Sequence, residues 1–384
     1  MKVLKFGGSS VGNPERIRGV RKIVESESSD CIVVVSAFEG ITDKLKKTSE
    51  LAAEGNTEYL NLFNEIVSLH ESYVQILIEQ NGRNEVLSHF RNIFNETADT
   101  LRGIFLLREL SRKASDKVLS TGERASSFII SRYFGKGLLL DAREFIRTDD
   151  NFGNANVDFD ITHTLIKEKF YTDEKIIIVP GFIGSTPNNE TTTLGRGGSD
   201  YTAAIIASVL EAESLEIWTD TDGFMTADPR KVDKAYAIDS LTYSEAIELS
   251  HFGAKVIYTP TLRPVYRKKI PVHVKNSFDP SKKGTLISEK PGDDGISPIK
   301  GISSIDHIDL ITLQGTAMVG VSGTSMRLFG ALARQNVNVI LITQASSEYS
   351  ITFALNPPDT AKAVTSIKAE FEKEIVYSRE LNIL

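Results

Sequence analysis

Short apolar runs separated by polar, glycine-rich turns predict a succession of buried strands in the first part of the chain. The run at residues 32–35 consists only of isoleucine and valine, which is typical of a strand covered on both faces of a sheet. The same pattern predicts strands at residues 3–6, 138–140, 176–179, 215–218 and 271–275. Between them the sequence predicts helices that start at Pro14 and cover residues 202–210 and 243–252.

The stretch from residue 43 to residue 135 follows a different period. Leu60, Phe63 and Val67 stand three and four positions apart with polar residues between them, as on one face of a helix. We therefore predict a largely helical region over residues 43–135 that covers the sheet. Residues 279–301 are rich in proline, glycine, lysine and serine and predict a linker.

A second pattern begins beyond this linker. It predicts strands at residues 310–313, 337–342, 349–355 and 375–378, with helices at residues 325–335 and 359–371. The resulting βαββαβ order is that of a small α+β module. We accordingly predict two domains, residues 1–290 and residues 301–384.

Composition and charge narrow the classes of partner. The 384 residues carry 44 lysines and arginines against 51 aspartates and glutamates, a net charge of −7, which disfavours nucleic acid and anionic membrane as partners. No stretch approaches the roughly 20 apolar residues of a membrane-spanning helix. The single cysteine, Cys31, excludes an internal disulfide and fits a reducing compartment, so we expect a cytoplasmic protein.

The candidate chemistry begins at residues 5–10, KFGGSS. Here a predicted strand runs into a turn formed by Gly7, Gly8 and Ser9, and a helix follows. Backbone N–H groups in such a turn face an anion, and the Lys5 ammonium at the end of the strand reaches the same anion. The alternative is a tight turn with a solvated lysine.

Two further segments carry candidate binding groups. Ser36 and Thr42 fall beyond the carboxyl end of a buried strand, where open α/β sheets bind ligands; the alternative for both is helix capping. Glu123, in the STGER segment at residues 120–124, offers a fixed carboxylate to a substrate ammonium. Its alternative is a capping box with Ser120.

The most informative stretch is residues 188–201, NNETTTLGRGGSDY. Its three threonines offer hydroxyl donors, and the glycines around Arg196, Gly197 among them, let the backbone approach a ligand closely. Arg196 presents a planar fork suited to a carboxylate or a phosphate. Ser199 and Asp200 stand at the start of the next helix, where N-capping is the alternative. Capping does not explain glycines on both sides of an arginine, so we predict a ligand-binding loop.

The turn after the strand at residues 215–218 combines hydroxyl and carboxylate groups from Thr219, Asp220 and Asp222. These groups suit the ribose and the Mg²⁺ surroundings of a nucleotide better than Ca²⁺, because the later ligand positions of a calcium loop are missing. Lys255 follows a predicted helix, so its charge either serves this site or complements the helix dipole.

These motifs occur together and in one order, and the set resembles the aspartate kinases of the amino-acid kinase superfamily. The segments that carry the resemblance are residues 5–10, 120–123, 191–200, 218–223, 228–230 and 252–255. It implies an α/β fold, a three-layer αβα sandwich with a mostly parallel sheet. The tail, above all residues 341–350, resembles an ACT domain and looks most like the form fused to homoserine dehydrogenase.

The resemblance also implies a reaction, in which the γ-phosphate of ATP passes to the side-chain carboxylate of L-aspartate, with Mg²⁺ accompanying the ATP. Lys5 then stabilises the transferring phosphoryl group, Arg196 binds the α-carboxylate and Glu123 binds the ammonium group. Asp200 orients Lys5 or a Mg²⁺-bound water. The expected substrate contacts also include Ser36, Thr42, Gly197 and Ser199, and those to ATP are Lys5, Gly7, Gly8, Ser9, Thr219, Asp220, Asp222, Arg230 and Lys255.

An ACT domain implies feedback by an end product. Similarity to the fused form favours L-threonine as the effector, with L-lysine as the alternative. Gln344, at a predicted strand end, is the expected effector contact; the alternative is a plain strand-end glutamine. Because ACT units commonly pair edge to edge, we expect at least a homodimer. Family members carry a second ACT unit, so we also expect an incomplete regulatory region, cut from a longer polypeptide.

Two other functions stay open. The first alternative to an aspartate kinase is another amino-acid kinase, acting on glutamate, acetylglutamate or a nucleotide. The second is a non-catalytic amino-acid sensor. Glu123 and Arg196 together favour a free amino acid with both of its charged groups. Lys5, Arg196 and Asp200 together argue against a silent sensor.

Overall fold

The computed structural model describes residues 1–135, 137–251, 257–258, 262–290 and 299–384. The chain divides into two compact units, Met1–Ser303 and Ser304–Leu384. None of the helices in the described ranges combines the length and the apolar character that a bilayer-spanning segment requires.

The first unit is organised around one sheet. Its eight strands are β1 (Lys2–Phe6), β2 (Cys31–Val35), β3 (Leu138–Leu139), β4 (Ile176–Pro180), β7 (Ser214–Thr219), β8 (Ser240–Thr242), β9 (Val272–Asn276) and β10 (Thr285–Ser288). Two further strands, β5 (Ile183–Ser185) and β6 (Thr191–Thr193), form a separate hairpin. The sheet order is β3-β4-β2-β1-β7-β9-β10-β8. Only the β9–β10 pair within this described sheet is antiparallel. Lys5 therefore lies near the middle of a parallel sheet, beside Val34 and Ile217.

Helices cover both faces of this sheet. They are α1 (Pro14–Ser26), α2 (Ile41–Glu54), α3 (Glu58–Leu77), α4 (Gln80–Leu107), α5 (Arg112–Phe134), α6 (Phe159–Lys169), α7 (Gly198–Val209), α8 (Tyr243–His251) and α9 (Leu262–Lys268). Side chains alternate across β1: Leu4 and Phe6 pack in one apolar core with α1 to α5, whereas Val3 packs in a second core with α6 to α9. This three-layer αβα arrangement confirms the expected fold class.

The predicted linker at residues 279–301 is wrong in part, because it contains β10. Within it Leu286 and Ile287 pair with β9 on one side and β8 on the other. The Thr285 hydroxyl donates to the Ile238 carbonyl at 2.6 Å and accepts from the Phe224 amide at 2.8 Å. A strand of four residues gave too short an apolar run to stand out among its proline, glycine and lysine neighbours.

The second unit is a four-stranded antiparallel sheet with two helices. Its elements are β11 (Asp309–Gly315), α10 (Thr324–Arg334), β12 (Leu341–Gln344), β13 (Ser350–Leu355), α11 (Thr360–Glu370) and β14 (Leu381–Ile383), and the sheet order is β12-β13-β11-β14. The strand predicted at residues 375–378 is wrong, because Lys373–Tyr377 forms a turn of π-helix. The Arg327 guanidinium donates to the Glu374 carboxylate at 2.6 Å and holds this turn next to α11. The last strand therefore begins further along the chain, at Leu381.

Candidate active site

The carboxyl ends of β1, β2 and β4 meet at one edge of the sheet and open into a cavity of about 530 Å³. Parallel strands place the loops that follow them on the same side, which is where open α/β sheets bind ligands. The cavity is lined by Lys5, Gly8, Ser9, Ser36, Ala37, Phe38, Glu39, Gly40, Thr42, Asp43, Glu123, Phe182, Gly195, Arg196, Gly197, Gly198, Ser199 and Asp200. The structure therefore brings four segments to one site. They are the loop after β1 (the first loop, residues 7–9), the segment after β2, the centre of α5, and the loop around Arg196 (the arginine loop, residues 195–197).

Lys5 and Asp200 form an ion pair inside this cavity. Their Nζ and Oδ1 atoms are 2.5 Å apart, and the two side chains are only 11% and 12% exposed. Helix α7 begins at Gly198 with Gly197 in the N-cap position, and its cap makes no side-chain hydrogen bond. The capping alternative for Ser199 and Asp200 is therefore wrong. The Asp200 carboxylate, in the first turn of α7, instead holds the Lys5 ammonium.

Glu123 lies in the middle of α5, not at a helix start. The helix begins eleven residues earlier, where Ser111 accepts the capping bond from the Ala114 amide, so the capping-box alternative is wrong. The Glu123 side chain is buried, and its Oε2 atom has no hydrogen-bond partner in the described residues. Burial raises the pKa of Glu123 to about 8, although backbone hydrogen bonds at Ala37 and Glu123 and the charge of Lys5 oppose the shift. An ammonium group in the cavity would supply the missing partner.

Arg196 stands in a loop whose backbone conformation favours glycine on both sides of the arginine. Gly195 and Gly197 have φ angles of +72° and +70°. A Cβ on Gly195 would lie 2.4 Å from Asn154 Oδ1, and one on Gly197 would lie 2.5 Å from the Cβ of Tyr258. The Arg196 guanidinium has no ion-pair partner in the described part of the chain, which leaves its fork available to an anionic ligand.

The threonines before this loop serve a different purpose from the one expected. Thr191 accepts a hydrogen bond from Arg143 at 3.2 Å, and the Thr192 hydroxyl bonds that of Thr148 at 2.7 Å. Thr193 donates to Asp116 at 2.8 Å. The expectation that these hydroxyls face a ligand is wrong, because they join the hairpin that carries the loop to its surroundings.

The first loop is braced from outside the cavity. Asn13 accepts a hydrogen bond from the Arg16 amide at 2.9 Å and caps α1. The Arg16 guanidinium donates to the Ser9 carbonyl at 3.0 Å and to the Glu39 carboxylate at 2.7 Å. It thus ties the loop after β1 to the loop after β2. Gly7 lacks the side chain that would crowd Lys5, since a Cβ there would lie 3.3 Å from Nζ.

Ser36 and Thr42 both line the cavity, and neither caps a helix. The N-cap of α2 is Gly40, with φ of +74° and no side-chain hydrogen bond. The capping alternative is therefore wrong for both residues. The Ser36 amide instead donates to the Phe6 carbonyl at 3.2 Å, which joins the ends of β1 and β2.

Among the expected ATP contacts, Lys5, Gly8 and Ser9 line the cavity, whereas Thr219, Asp220, Asp222 and Arg230 are not part of its lining. Thr219 ends β7, and its hydroxyl donates to Asp220 at 3.2 Å, while Asp222 accepts from Asn276 at 2.7 Å. Arg230 is exposed and pairs with Asp228. The Gly7 amide donates to the Trp218 carbonyl at 3.3 Å, so the end of β7 adjoins the first loop. Lys255 lies outside the described residues.

Gln344 belongs to the second unit. There it lines a cavity of about 330 Å³ together with residues 320–323 of the turn before α10, the first two residues of α10, and Met318, Glu348 and Ile351. The Ser325 hydroxyl donates to Gln344 Oε1 at 3.4 Å, and Glu348 accepts from the Gly320 amide at 3.0 Å.

Sequence reasoning missed several cavity residues. Phe38 and Phe182 both line it, and Phe182 adopts a left-handed φ of +69°, which is rare for an aromatic residue and occurs at functional sites. Each of them comes within three residues of the end of a buried strand. Glu39 and Asp43 were missed in the same segment as Ser36. Position relative to a strand end was the signal that would have found them.

Comparison with known proteins agrees with this geometry. The amino acid kinase family matches residues 1–276, and an ACT domain family matches residues 311–371. The chain is 36% identical, over 98% of its length, to the bifunctional aspartokinase/homoserine dehydrogenase 2 of Arabidopsis thaliana, of which it spans 42%. It is 34% identical to lysine-sensitive aspartokinase 3 of Escherichia coli, over 92% of this chain and 78% of that protein.

A solved structure extends the comparison to three dimensions. Escherichia coli aspartokinase III, in complex with aspartate and ADP, matches with a TM-score of 0.79 and 32% identity, over 93% of this chain and 78% of that one. The chain spans less than half the length of the bifunctional plant relatives. It nevertheless covers both the kinase and the ACT matches, and it belongs to the amino acid kinase family, among the aspartokinases.

Proposed function

We propose that this protein is an aspartate kinase. It transfers the γ-phosphate of ATP to the side-chain carboxylate of L-aspartate and forms 4-phospho-L-aspartate, the first step toward threonine, methionine and lysine. The observation that carries the proposal is the shared cavity of Lys5, Glu123 and Arg196. These three groups complement a phosphate, an ammonium and a carboxylate. The aspartate and ADP bound by the Escherichia coli relative support the same pairing of substrates.

The chemistry is a problem of charge rather than of proton removal. A carboxylate with a reference pKa near 4 is already an anion at neutral pH, so the nucleophile needs no general base. Two like unit charges about 4 Å apart repel by about 4 kcal/mol at an effective dielectric constant near 20. The Lys5 ammonium offsets this repulsion at the transferring phosphoryl group, and positioning supplies the rest. Asp200 fixes where that ammonium points.

The α-carboxylate and the ammonium group of the substrate each bind a side chain of opposite charge. Arg196 holds the α-carboxylate through two parallel hydrogen bonds, and Glu123 accepts the ammonium group. Ser36, Thr42 and Ser199 add hydroxyl groups from the cavity wall. An acetylated amino acid or a nucleotide lacks the ammonium that Glu123 requires. Glutamate carries both charged groups, so the glutamate-type kinase remains the second candidate.

ATP lies along the first loop in this proposal. The N–H groups of Gly8 and Ser9 face its phosphates, whereas the expected contact from Gly7 is not available because its amide is bonded to the Trp218 carbonyl. The loop after β7 holds the ribose side through Thr219, Asp220, Asp222 and Arg230, with Lys255 near the phosphates. Mg²⁺ accompanies ATP and neutralises phosphate charge. It keeps several waters and needs only one or two carboxylates, which fits Asp220 and Asp222 and the lack of a three-residue metal-ligand cluster in the described residues.

The test is the product itself. Incubation with Mg-ATP, L-aspartate and hydroxylamine converts an acyl phosphate into a hydroxamate, which iron(III) makes visible. We expect colour that depends on both ATP and aspartate, and little with glutamate. Colour with glutamate instead would identify glutamate as the substrate. No hydroxamate from any amino acid, with amino-acid binding intact, would favour the sensor.

Regulation by an end product belongs to the same proposal. The cavity around Gln344 offers Glu348 to an ammonium group and the amides of residues 322–325, at the start of α10, to a carboxylate. We propose L-threonine as the effector and L-lysine as the alternative, and inhibition by each at matched concentrations decides between them. The exposed edge strand β12 supports pairing of two copies, which light scattering tests. The cytoplasmic location stays a prediction from sequence.

A further inference from the structure

Helix α5 carries a second buried carboxylate, Asp116, seven residues before Glu123. Two helical turns separate them, so both lie on the same face of the helix. Asp116 is 1% exposed. It accepts three hydrogen bonds, from the Gly153 amide at 2.9 Å, the Thr193 amide at 2.8 Å and the Thr193 hydroxyl at 2.8 Å.

Both hydrogen-bond partners of Asp116, Thr193 and Gly153, belong to segments that adjoin the arginine loop. Thr193 is the last residue of β6 and stands three positions before Arg196. Gly153 precedes Asn154, whose Oδ1 occupies the space that a Cβ on Gly195 would enter. The Ala155 amide also donates to the Thr193 carbonyl at 3.0 Å. One buried carboxylate therefore joins α5 to the two segments that support Arg196.

We infer that Asp116 is a positioning residue that fixes the separation between Glu123 and Arg196, and so sets how well the site fits the two charged groups of its amino-acid substrate. This inference rests on the proposed function. Asp116 does not line the cavity and touches no substrate. Its effect passes through the helix that holds Glu123 and through the hairpin that holds Arg196.

The chemistry of Asp116 suits this task. A carboxylate has two oxygens that accept hydrogen bonds only, so it receives amides from two segments at once. Bonds from backbone N–H groups to an ionised oxygen are among the stronger ones in proteins. Asparagine has almost the same shape, but its NH₂ group cannot accept. In an Asp116→Asn variant the side-chain oxygen can still accept from both backbone amides, which meet the same carboxylate oxygen, and the NH₂ group faces the Thr193 hydroxyl. The variant therefore keeps the shape of the link but removes the charge that strengthens its bonds.

The experiment compares Asp116→Asn with Asp149→Asn. Asp149 accepts from the Asn151 and Asn156 amides and from the Asn156 side chain, so its variant loosens the same surface loop without cutting the link to α5. We expect Asp116→Asn to raise KM for aspartate about tenfold, the scale of the strength that hydrogen bonds lose when a charged acceptor becomes neutral, with KM for ATP almost unchanged. Asp149→Asn should leave both constants near wild type.

Equal increases in both KM values, or the same aspartate effect in Asp149→Asn, would show a merely structural role and overturn the inference. If Asp116→Asn does not fold, Thr193→Val removes only the hydroxyl bond and Thr193→Ser keeps it. The inference then requires a raised aspartate KM in the valine variant and rescue in the serine variant. A wild-type protein without aspartate-dependent hydroxamate refutes the proposed function itself, whatever these variants do.

Discussion

The two cavities of this protein hold their polar groups in opposite ways. In the first unit, the side chains of Lys5, Asp200 and Glu123 are almost fully buried, and the Glu123 Oε2 atom has no hydrogen-bond partner in the described residues. Arg196, in the same cavity, is exposed. In the second unit, much of the cavity is formed by the glycine- and serine-containing turn before α10 and the start of that helix, and its one residue from β12, Gln344, is exposed. The first site thus combines three buried charges with one exposed guanidinium, whereas the second is formed mainly by surface turns.

This difference teaches what each site can do. Two charges about 4 Å apart interact by about 4 kcal/mol at an effective dielectric constant near 20, but by only about 1 kcal/mol in water. Buried charges therefore suit the first site to the proposed task of holding two repelling anions together. Exposed turns offer weaker contacts, which suits the reversible binding proposed for the effector. The predictions below test this contrast, beginning with the largest expected effect.

Replacing Lys5 should produce the largest loss. A Lys5→Met variant keeps the apolar stem but removes the charge at the transferring phosphoryl group, so we expect turnover to fall by about a thousandfold. Aspartate binding, measured by calorimetry, should survive, because Arg196 and Glu123 remain. The matched control is Lys2→Met, on the same strand, which pairs with Glu27 and Glu216 outside the cavity. Near-normal turnover in Lys5→Met would refute the role of the lysine.

Replacing Arg196 should act on one substrate only. Arg196→Ala removes the fork for the α-carboxylate, and we expect KM for aspartate to rise about a hundredfold, as for a charged hydrogen-bond pair, with little change for ATP. Arg196→Lys keeps the charge without the two-pronged geometry and should fall between the two. Steady-state kinetics in each substrate provide the measurement. Equal effects on both substrates would point to a structural role for Arg196.

Glu123 should make aspartate binding depend on pH. Because burial raises its pKa to about 8, the carboxyl group is mostly protonated at pH 6.5 and cannot attract an ammonium. We expect KM for aspartate to fall as pH rises from 6.5 to 8, by up to about tenfold per pH unit. A Glu123→Gln variant should lose this dependence and bind aspartate poorly at every pH. A KM that is flat over this range in the wild type would contradict the assignment.

The same shift predicts a cost in stability. The folded-state pKa of Glu123 lies above its unfolded value of 4.5, so the protonated group stabilises the fold fully below about pH 4.5, and this contribution is lost as pH rises through 8. Glu123→Gln should therefore have a higher free energy of unfolding than the wild type at pH 8.5. Below pH 4.5 the two proteins should unfold alike in denaturant titrations.

Much of the first unit was accessible to sequence reasoning because its signals are local. Apolar runs located the strands, and glycines on both sides of Arg196 marked a loop whose φ angles only glycine adopts freely. The failures concern contacts that span the chain. The bonds of Thr193 to Asp116 bridge 77 positions, and β10 depends on strands β8 and β9 that flank it only in the folded state. Capping alternatives for Glu123 and Asp200 failed because helix ends depend on such packing.

The smallest effect should come from Gln344, at the second cavity. Its amide is exposed, so the loss of one hydrogen bond to an effector in Gln344→Ala should weaken inhibition by about fivefold and leave kcat unchanged. The control is Gln335→Ala, at the end of α10 and outside this cavity, which should be inhibited like the wild type. Dose–response curves with L-threonine and L-lysine measure the shift. A loss of activity in Gln344→Ala without effector, or a shift as large as those at the buried site, would mean that the two cavities do not differ as their burial indicates.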